Sequence, residues 1–269
     1  MMCNGDSPMF TDFDAFGFAP AYDDAYTAPL APVAQPLLPT VFLPGLLCDA
    51  ALWRPQIDAL APLIAPMVAD LTLDDSVPAM ARRVLAAAPP RFALVALSMG
   101  GYVALEILRQ APERVTSVAL LDTSARADSA ERAEQRRVGM ASLERGRFVG
   151  ITRQLLERLV GPGKTHGPVA EALKAMALRV GGAAFLRQQH AILDRADLRH
   201  ILPGIRVPVL VAVGDGDRIT PPSDAEEIAA LIPGAQLHVF EKCGHLPALE
   251  LPEQTSALLK WWLARDRAA

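Results

Sequence analysis

The sequence predicts an α/β protein: a mostly parallel central sheet, helices on both of its faces, and a helical segment inserted between two of its later strands. Three observations carry this reading. Apolar runs such as Phe92–Leu97 (FALVAL) show no polar alternation, as expected of strands covered on both faces. Such runs alternate with segments of helical period, the pattern of right-handed βαβ units and a parallel sheet. Between residues 126 and 200 the alternation stops and only helical patterns remain.

Residues 1–36 precede the alternation. They hold Asp6, Asp12, Asp14, Asp23 and Asp24 and the aromatics Phe10, Phe13, Phe16, Phe18, Tyr22 and Tyr26, with no Lys or Arg and no sustained period. Without one recurring apolar face to offset the ordering entropy, this stretch is expected to be a flexible N-terminal extension. The alternative is that its aromatic residues dock on the domain or on a partner. A strand is then expected at 37–43, a helix at 50–64, a short strand at 67–71 and a helix at 77–88 with Ser76 as N-cap. Phe92–Leu97 is a strand, Met99–Gln110 a helix that Pro112 ends, and Val115–Leu121 another buried strand. Helices are expected at 130–144, 147–160, 169–180 and 184–195, with Gly161-Pro162-Gly163 and Gly181-Gly182 as turns between them. Strands at 209–213 and 236–240 and helices at 223–231 and 252–264 complete the set. The expected organisation is a core of residues 37–125 and 201–269, with 126–200 as a helical cap over the C-terminal edge of the sheet, where open α/β sheets bind ligands.

Bulk properties narrow the function classes. A chain of 269 residues suits one large domain, or one domain carrying an insertion, and 51% hydrophobic residues supply a sizeable core. A net charge of −4, with no local run of Lys or Arg, gives nucleic acid no electrostatic footprint. No apolar stretch reaches the length of a membrane span, and the N-terminus lacks the basic-then-apolar order of a secretory signal. Cys3, Cys48 and Cys243 are odd in number and widely spaced, and no CxxC pair is present. That fits neither a disulfide framework nor a zinc site. The expectation is a cytoplasmic protein acting on a small molecule.

The chemistry-bearing signals lie at strand ends. Val95-Ala96-Leu97-Ser98-Met99-Gly100-Gly101 follows a buried strand and opens a helix. A serine in so sharp a turn takes a strained backbone, tolerated when the residues two before and two after are small, here Ala96 and Gly100. The turn also leaves the Met99 N–H at a helix N-terminus, where negative charge is favoured. Phe42-Leu43-Pro44-Gly45-Leu46-Leu47-Cys48-Asp49 ends the first strand and is the candidate source of a second backbone donor, the Leu46 N–H, because acyl transfer needs two donors converging on the substrate oxygen. Cys48 has no neighbouring base or cation and reads as an apolar packing residue.

Asp215-Gly216-Asp217-Arg218 and Gly244-His245-Leu246-Pro247 follow the last two strands and should open on the same edge as Ser98. A serine hydroxyl needs an imidazole to take its proton, and that imidazole needs a carboxylate to fix its tautomer. Ser98, Asp217 and His245 come in the order expected of such a sheet. Asp215, two residues earlier on the same loop, and Asp122, at the end of the strand at 115–121, remain competing carboxylates. His166, His190 and His200 fall in the insertion and His238 within a strand, which leaves His245 as the base.

At these residues the chain resembles the α/β-hydrolase superfamily of serine esterases, and is similar to the carboxylesterases of biotin synthesis and the enol-lactonases. The resemblance covers residues 37–265 and rests on the Ser98 turn, the Asp217 loop and the Gly-His-Leu-Pro loop. It implies a helical cap after the sixth-strand position, hydrolysis of a small to medium carboxylic ester through an acyl-enzyme, and no metal or organic cofactor. Two departures stand out. Pro44 replaces the His that often precedes the oxyanion-loop glycine, and residues 1–36 do not read as the β-hairpin that usually opens the fold. The same catalytic set also serves lactone and C–C bond hydrolysis, and the same fold serves as a non-catalytic receptor or scaffold. In the insertion, Met140, Met176, Phe148, Phe185, Leu155 and Leu156 are candidates for an apolar acyl pocket or for the insertion's own core. Arg126, Arg147, Arg153 and Arg187 are candidates to select an acidic substrate, or simply solvated helix faces.

Overall fold

The structure, a computed structural model, describes residues 36–146, 148 and 150–266. The N-terminal extension, Cys3 and Arg147 therefore lie outside the described residues, Pro36 excepted. Six parallel strands are present among the described residues: β1 (Leu38–Leu43), β2 (Ile64–Val68), β3 (Phe92–Leu97), β4 (Val115–Leu121), β5 (Val209–Gly214) and β6 (Gln236–Phe240). They run in the order β2-β1-β3-β4-β5-β6. The chain steps one way from β1 to β2, then returns to the other side of β1 with β3. The C-terminal ends of β1 and β3 therefore flank the switch point at which such sheets open a ligand crevice.

Alternate residues of each strand enter opposite layers, which is why the runs read as continuously apolar. Val41, Leu43, Leu94 and Ala96 pack under α2 (Val77–Ala87), α3 (Met99–Gln110) and α7 (Pro222–Leu231). Phe42, Ala93, Val95 and Leu97 face the other layer, which includes Leu60 of α1 (Arg54–Leu60) and Leu259, Trp262 and Leu263 of α9 (Pro252–Asp266). Burying one such side chain contributes roughly 1.5–3 kcal/mol. The edge strand β6 alternates instead, with Leu237 and Val239 exposed.

The first helix and second strand differ from expectation. Helix α1 stops at Leu60, and β2 begins at Ile64 rather than at residue 67. Leu63 and Ile64 extend the apolar face of the helix, but Pro66 forces the residue before it into extended backbone. Its missing N–H is tolerated because β2 is an edge strand, where Pro66 stands opposite Thr40.

Between β4 and β5 come α4 (Ala130–Arg145), α5 (Arg153–Leu159) and α6 (Pro168–Leu193). Helix α5 starts six residues later than expected, because Thr152 caps it, its Oγ1 accepting the Leu155 N–H at 3.2 Å. The two helices expected at 169–180 and 184–195 form one element broken at Gly181, where a φ of +77° interrupts the helix at little cost to a residue without Cβ. The insertion follows the fourth described strand rather than a sixth. The residues before Pro36, where the resemblance would place its opening hairpin, lie outside the described residues. Helix α8 (Pro247–Glu250) joins β6 to α9.

Candidate active site

The strand ends are where the backbone is under strain. Among the described residues, the non-glycines with positive φ are Leu47 (61°), Ser98 (55°), Asp122 (45°) and Lys242 (55°). They follow β1, β3, β4 and β6, all on the C-terminal edge. Such residues persist only where their surroundings over-determine them. Around Ser98 the determinants are visible. Ala96 is fully buried, and a Cβ at Gly100 would lie 2.2 Å from the Leu43 carbonyl oxygen, so α3 packs on β1 only with glycine there. The Thr123 hydroxyl donates to the Ser98 carbonyl at 2.8 Å, a brace from the loop after β4 that the sequence did not signal.

The structure brings Ser98, His245 and Asp217 together. Ser98 Oγ lies 2.8 Å from His245 Nε2, and His245 Nδ1 lies 2.8 Å from Asp217 Oδ2. Their exposures are 8%, 3% and 4%. Asp217 accepts only, so Nδ1 carries the proton between them and Nε2 faces the serine hydroxyl as acceptor. Burial works to raise the Asp217 carboxyl, but His245 opposite it, the Ile219 N–H and the Thr220 hydroxyl outweigh burial and hold it below the ordinary carboxylate value. The acid is thus ionised at neutral pH, the state that orients an imidazole and stabilises an imidazolium.

The loop carrying His245 is fixed by a carboxylate that sequence reasoning missed. Glu250 accepts the N–H groups of Gly244 (3.0 Å), Leu246 (3.2 Å) and Gly161 (2.8 Å), and pairs with Lys164 at 3.2 Å. The His245 N–H donates to the Leu159 carbonyl at 2.8 Å. The histidine loop is therefore tied to the end of α5.

The two competing carboxylates separate by geometry. Asp215 accepts the N–H groups of Lys242 and Cys243, at 2.9 and 3.0 Å, which hold it below the usual carboxylate range and make it a staple between two loops. Asp122 is fully buried. Its Oδ1 accepts the Gly214 N–H at 2.9 Å, and its Oδ2 has no donor among the described groups. Burial first, then the charge of Asp217, raises it well above the ordinary value. A carboxyl raised in this way takes up a proton more readily than an exposed one, which relieves its repulsion of Asp217. The cluster Asp122, Asp217 and His245 places one potential ligand atom from each within 4.8 Å of the others, but two of its members already bond each other.

Asp122→Asn should keep the Gly214 contact and leave kcat within about threefold. It should also change the pH dependence of stability. A raised carboxyl makes the wild-type protein take up a proton on folding, so its stability declines as pH rises from about 4. The variant lacks that slope, and its Tm should gain on the wild type as pH rises from 4.5 to 8. A difference that stays flat with pH would mean that Asp122 is already ionised.

A cavity of about 260 Å³ is lined by Ser98, His245, Gly45 and Leu46 on the core side. Gly45 runs so close to the serine that a Cβ there would lie 3.4 Å from Ser98 Cβ. The Leu46 N–H donates to no backbone or side-chain acceptor among the described residues, and Met99, as first residue of α3, has no intrahelical acceptor. From the insertion, Leu155 and Phe185 line the cavity, whereas Met140, Met176 and Leu156 are buried without lining it and Phe148 packs on the Phe185 ring at 5.9 Å. The lining arginines are Arg132, Arg136 and Arg158. Arg126 pairs with Glu227, Arg153 with Glu157, and Arg187 donates to the Thr72 carbonyl, all away from the cavity. Burial and neighbouring Asp49 push the Cys48 thiol up to about 12, which disfavours the nucleophilic thiolate. Neither His166, His190, His200 nor His238 lines the cavity.

Comparison with known proteins identifies the fold family. The alpha/beta hydrolase fold family model matches residues 66–252. The pimeloyl-[acyl-carrier protein] methyl ester esterase of Neisseria meningitidis serogroup C is 33% identical over 171 residues, 61% of this chain and 66% of that protein, so the chain spans just under two thirds of that relative. The Nitrosomonas europaea protein of the same name is 32% identical over 188 residues, 67% of this chain and 74% of the relative. Among solved structures, a thermophilic esterase from Thermogutta terrifontis superposes with a TM-score of 0.77 at 28% identity, covering 85% of this chain and 90% of that one. The enol-lactonase from Burkholderia xenovorans LB400 superposes with a TM-score of 0.73 at 24% identity, covering 87% and 94%, a likeness of fold. Sheet order, loop positions and the extent of the family match agree: this chain belongs to the alpha/beta hydrolase fold family.

Proposed function

We propose that the protein is a serine carboxylic-ester hydrolase in which Ser98 is the nucleophile, His245 the general base and Asp217 the acid that orients it. The observation that carries this is the continuous pair of 2.8 Å contacts from Ser98 Oγ through the imidazole to Asp217, at the wall of a cavity large enough for a small acyl group. In this reading His245 Nε2 takes the hydroxyl proton as Ser98 Oγ attacks the ester carbonyl. Negative charge then develops on the carbonyl oxygen, where the N–H groups of Leu46 and Met99 receive it. The protonated imidazole gives its proton to the departing alcohol, and the acyl-enzyme forms. A water activated by the same nitrogen reverses the sequence and frees the acid. The residues from 126 to 200 act as a cap whose Leu155 and Phe185 contact the acyl chain.

The curated relatives are named for methyl esters of a carrier-bound pimeloyl group. We therefore assign methyl esters of medium acyl chains as the substrate class, with Arg158 at the cavity wall suiting an anionic end of the substrate, since Arg136 already pairs with Asp128 and Arg132 faces Asp224. No helix of the described residues is long and apolar enough to cross a membrane. The free thiols of Cys48 and Cys243 suit the reducing cytoplasm, where we place the enzyme.

A kcat/KM panel of methyl and p-nitrophenyl esters of two to ten carbons, set against lactones of matched size, tests the assignment. The expected result is turnover of the esters, rising with chain length until the cavity is filled. Lactone turnover without ester turnover would move the assignment to a lactonase. Binding without any turnover would move it to a receptor.

A further inference from the structure

Gln188 lies on α6, in the insertion, and is completely buried. Its Oε1 accepts the Leu47 N–H at 3.1 Å, and its Nε2 donates to the Leu71 carbonyl at 3.1 Å. One planar amide thus bridges the loop after β1 and the loop after β2, two segments more than a hundred residues earlier in the chain. It is the Leu47 end that bears on chemistry.

Leu47 holds a φ of +61°, unfavourable for a branched side chain, and its N–H is buried. A strained residue persists only if its neighbours over-determine it, and a buried N–H without an acceptor is a costly defect. On the core side, the turn is closed by the Cys48 N–H donating to the Gly45 carbonyl at 3.1 Å. The acceptor for Leu47 comes from α6. The peptide immediately before the held one carries the Leu46 N–H, beside the cavity and next to Ser98.

We propose that Gln188 is a positioning residue for the oxyanion donor: by holding the Leu47 N–H, it fixes the turn that aims the Leu46 N–H at the developing negative charge. The insertion then completes the active site as well as covering it. The inference rests on the esterase reading above and adds to it a role for one side chain that touches no substrate. An aimed donor strengthens its contact as charge develops, so its misplacement is read in kcat rather than in KM.

Three variants test this with p-nitrophenyl butyrate as substrate and a trifluoromethyl ketone as transition-state analogue. Gln188→Met fills the same space without donor or acceptor. It should lower kcat by about 10- to 100-fold, as a donor displaced by a fraction of an ångström to one ångström does, with KM within about threefold. The affinity for the ketone should fall in proportion to kcat/KM. Gln188→Glu keeps an oxygen for Leu47 but alters the contact with Leu71. It should lower Tm while keeping kcat within about threefold of wild type, separating aim from stability. Where Met prevents folding, Gln188→Asn, which withdraws the amide by one methylene, should show the same loss of kcat. A Met or Asn variant with wild-type kcat and ketone affinity overturns the inference alone, as does a Glu variant that loses as much kcat as Met. A wild-type protein that turns over no ester overturns the esterase reading together with it.

Discussion

Replacing Ser98 with alanine is expected to lower kcat on any ester on the order of 10⁶-fold and to abolish labelling by a fluorophosphonate. The loss is one of chemistry rather than packing. Ser98 Oγ makes its side-chain contact with His245 Nε2, and both atoms belong to residues lining the cavity. Removing the hydroxyl frees an imidazole nitrogen toward the cavity rather than orphaning a buried group, so the cost in stability should stay within about 1 kcal/mol. The strained φ of 55° is carried equally by alanine. The variant should therefore keep the Tm and the substrate affinity of the wild type while losing nucleophilic chemistry. Intact-mass measurement of labelled protein and steady-state kinetics on the same preparations read both effects. Equal labelling of wild type and variant would remove Ser98 from the mechanism.

The parts of the fold that were legible in the sequence are those whose signal is local. Strands β3, β4 and β6 and helix α3 begin and end where apolar runs meet Ser98, Pro112 or polar loops, and they lie where the pattern puts them. The boundary between α1 and β2 is not legible in the sequence because Leu63 and Ile64 satisfy a helical face as well as a strand. The deciding term was Pro66 acting on the residue before it. In the same way, Ser98, Asp217 and His245 were legible because each sits in a short loop whose small or rigid neighbours betray a tight turn after a strand.

What was not legible depends on contacts between distant segments. Thr123 on the Ser98 carbonyl, Glu250 on the histidine loop and Gln188 on Leu47 join residues 25, 89 and 141 positions apart in their longest reaches. No period or motif at either end announces such a bond. The arginines illustrate the same limit. Charge on a helix is visible in the sequence, but which face turns to the cavity depends on how the helix rolls against the core. The structure puts Arg132, Arg136 and Arg158 there instead of Arg126, Arg153 and Arg187. The upward push on the Asp122 carboxyl is likewise a product of packing, since it comes from complete burial and from the charge of Asp217 beside it.

Asp217→Asn is expected to lower kcat by about 10⁴-fold while leaving the fold nearly unchanged. An asparagine of the same shape still meets Thr220 and Ile219, but it brings no charge to stabilise the imidazolium. If its amide nitrogen faces the ring, it donates to Nδ1 and fixes the tautomer that carries the proton on Nε2, where it blocks proton transfer from the serine. The variant therefore acts on the state of His245 and not on its place. Its pH profile should show the difference: the residual rate should rise with alkaline pH, where hydroxide replaces the missing base. The neighbouring carboxylates supply the contrast. Asp122→Asn should retain kcat, because the carboxyl it replaces bonds the Gly214 N–H and not the imidazole of His245. Asp215→Asn should retain kcat while costing about 1–2 kcal/mol of stability, because it weakens two backbone contacts between the loops that carry Asp217 and His245. Should Asp122→Asn, and not Asp217→Asn, produce the large fall, the acid would be the residue after β4, and the 2.8 Å contact between Asp217 and His245 would be structural.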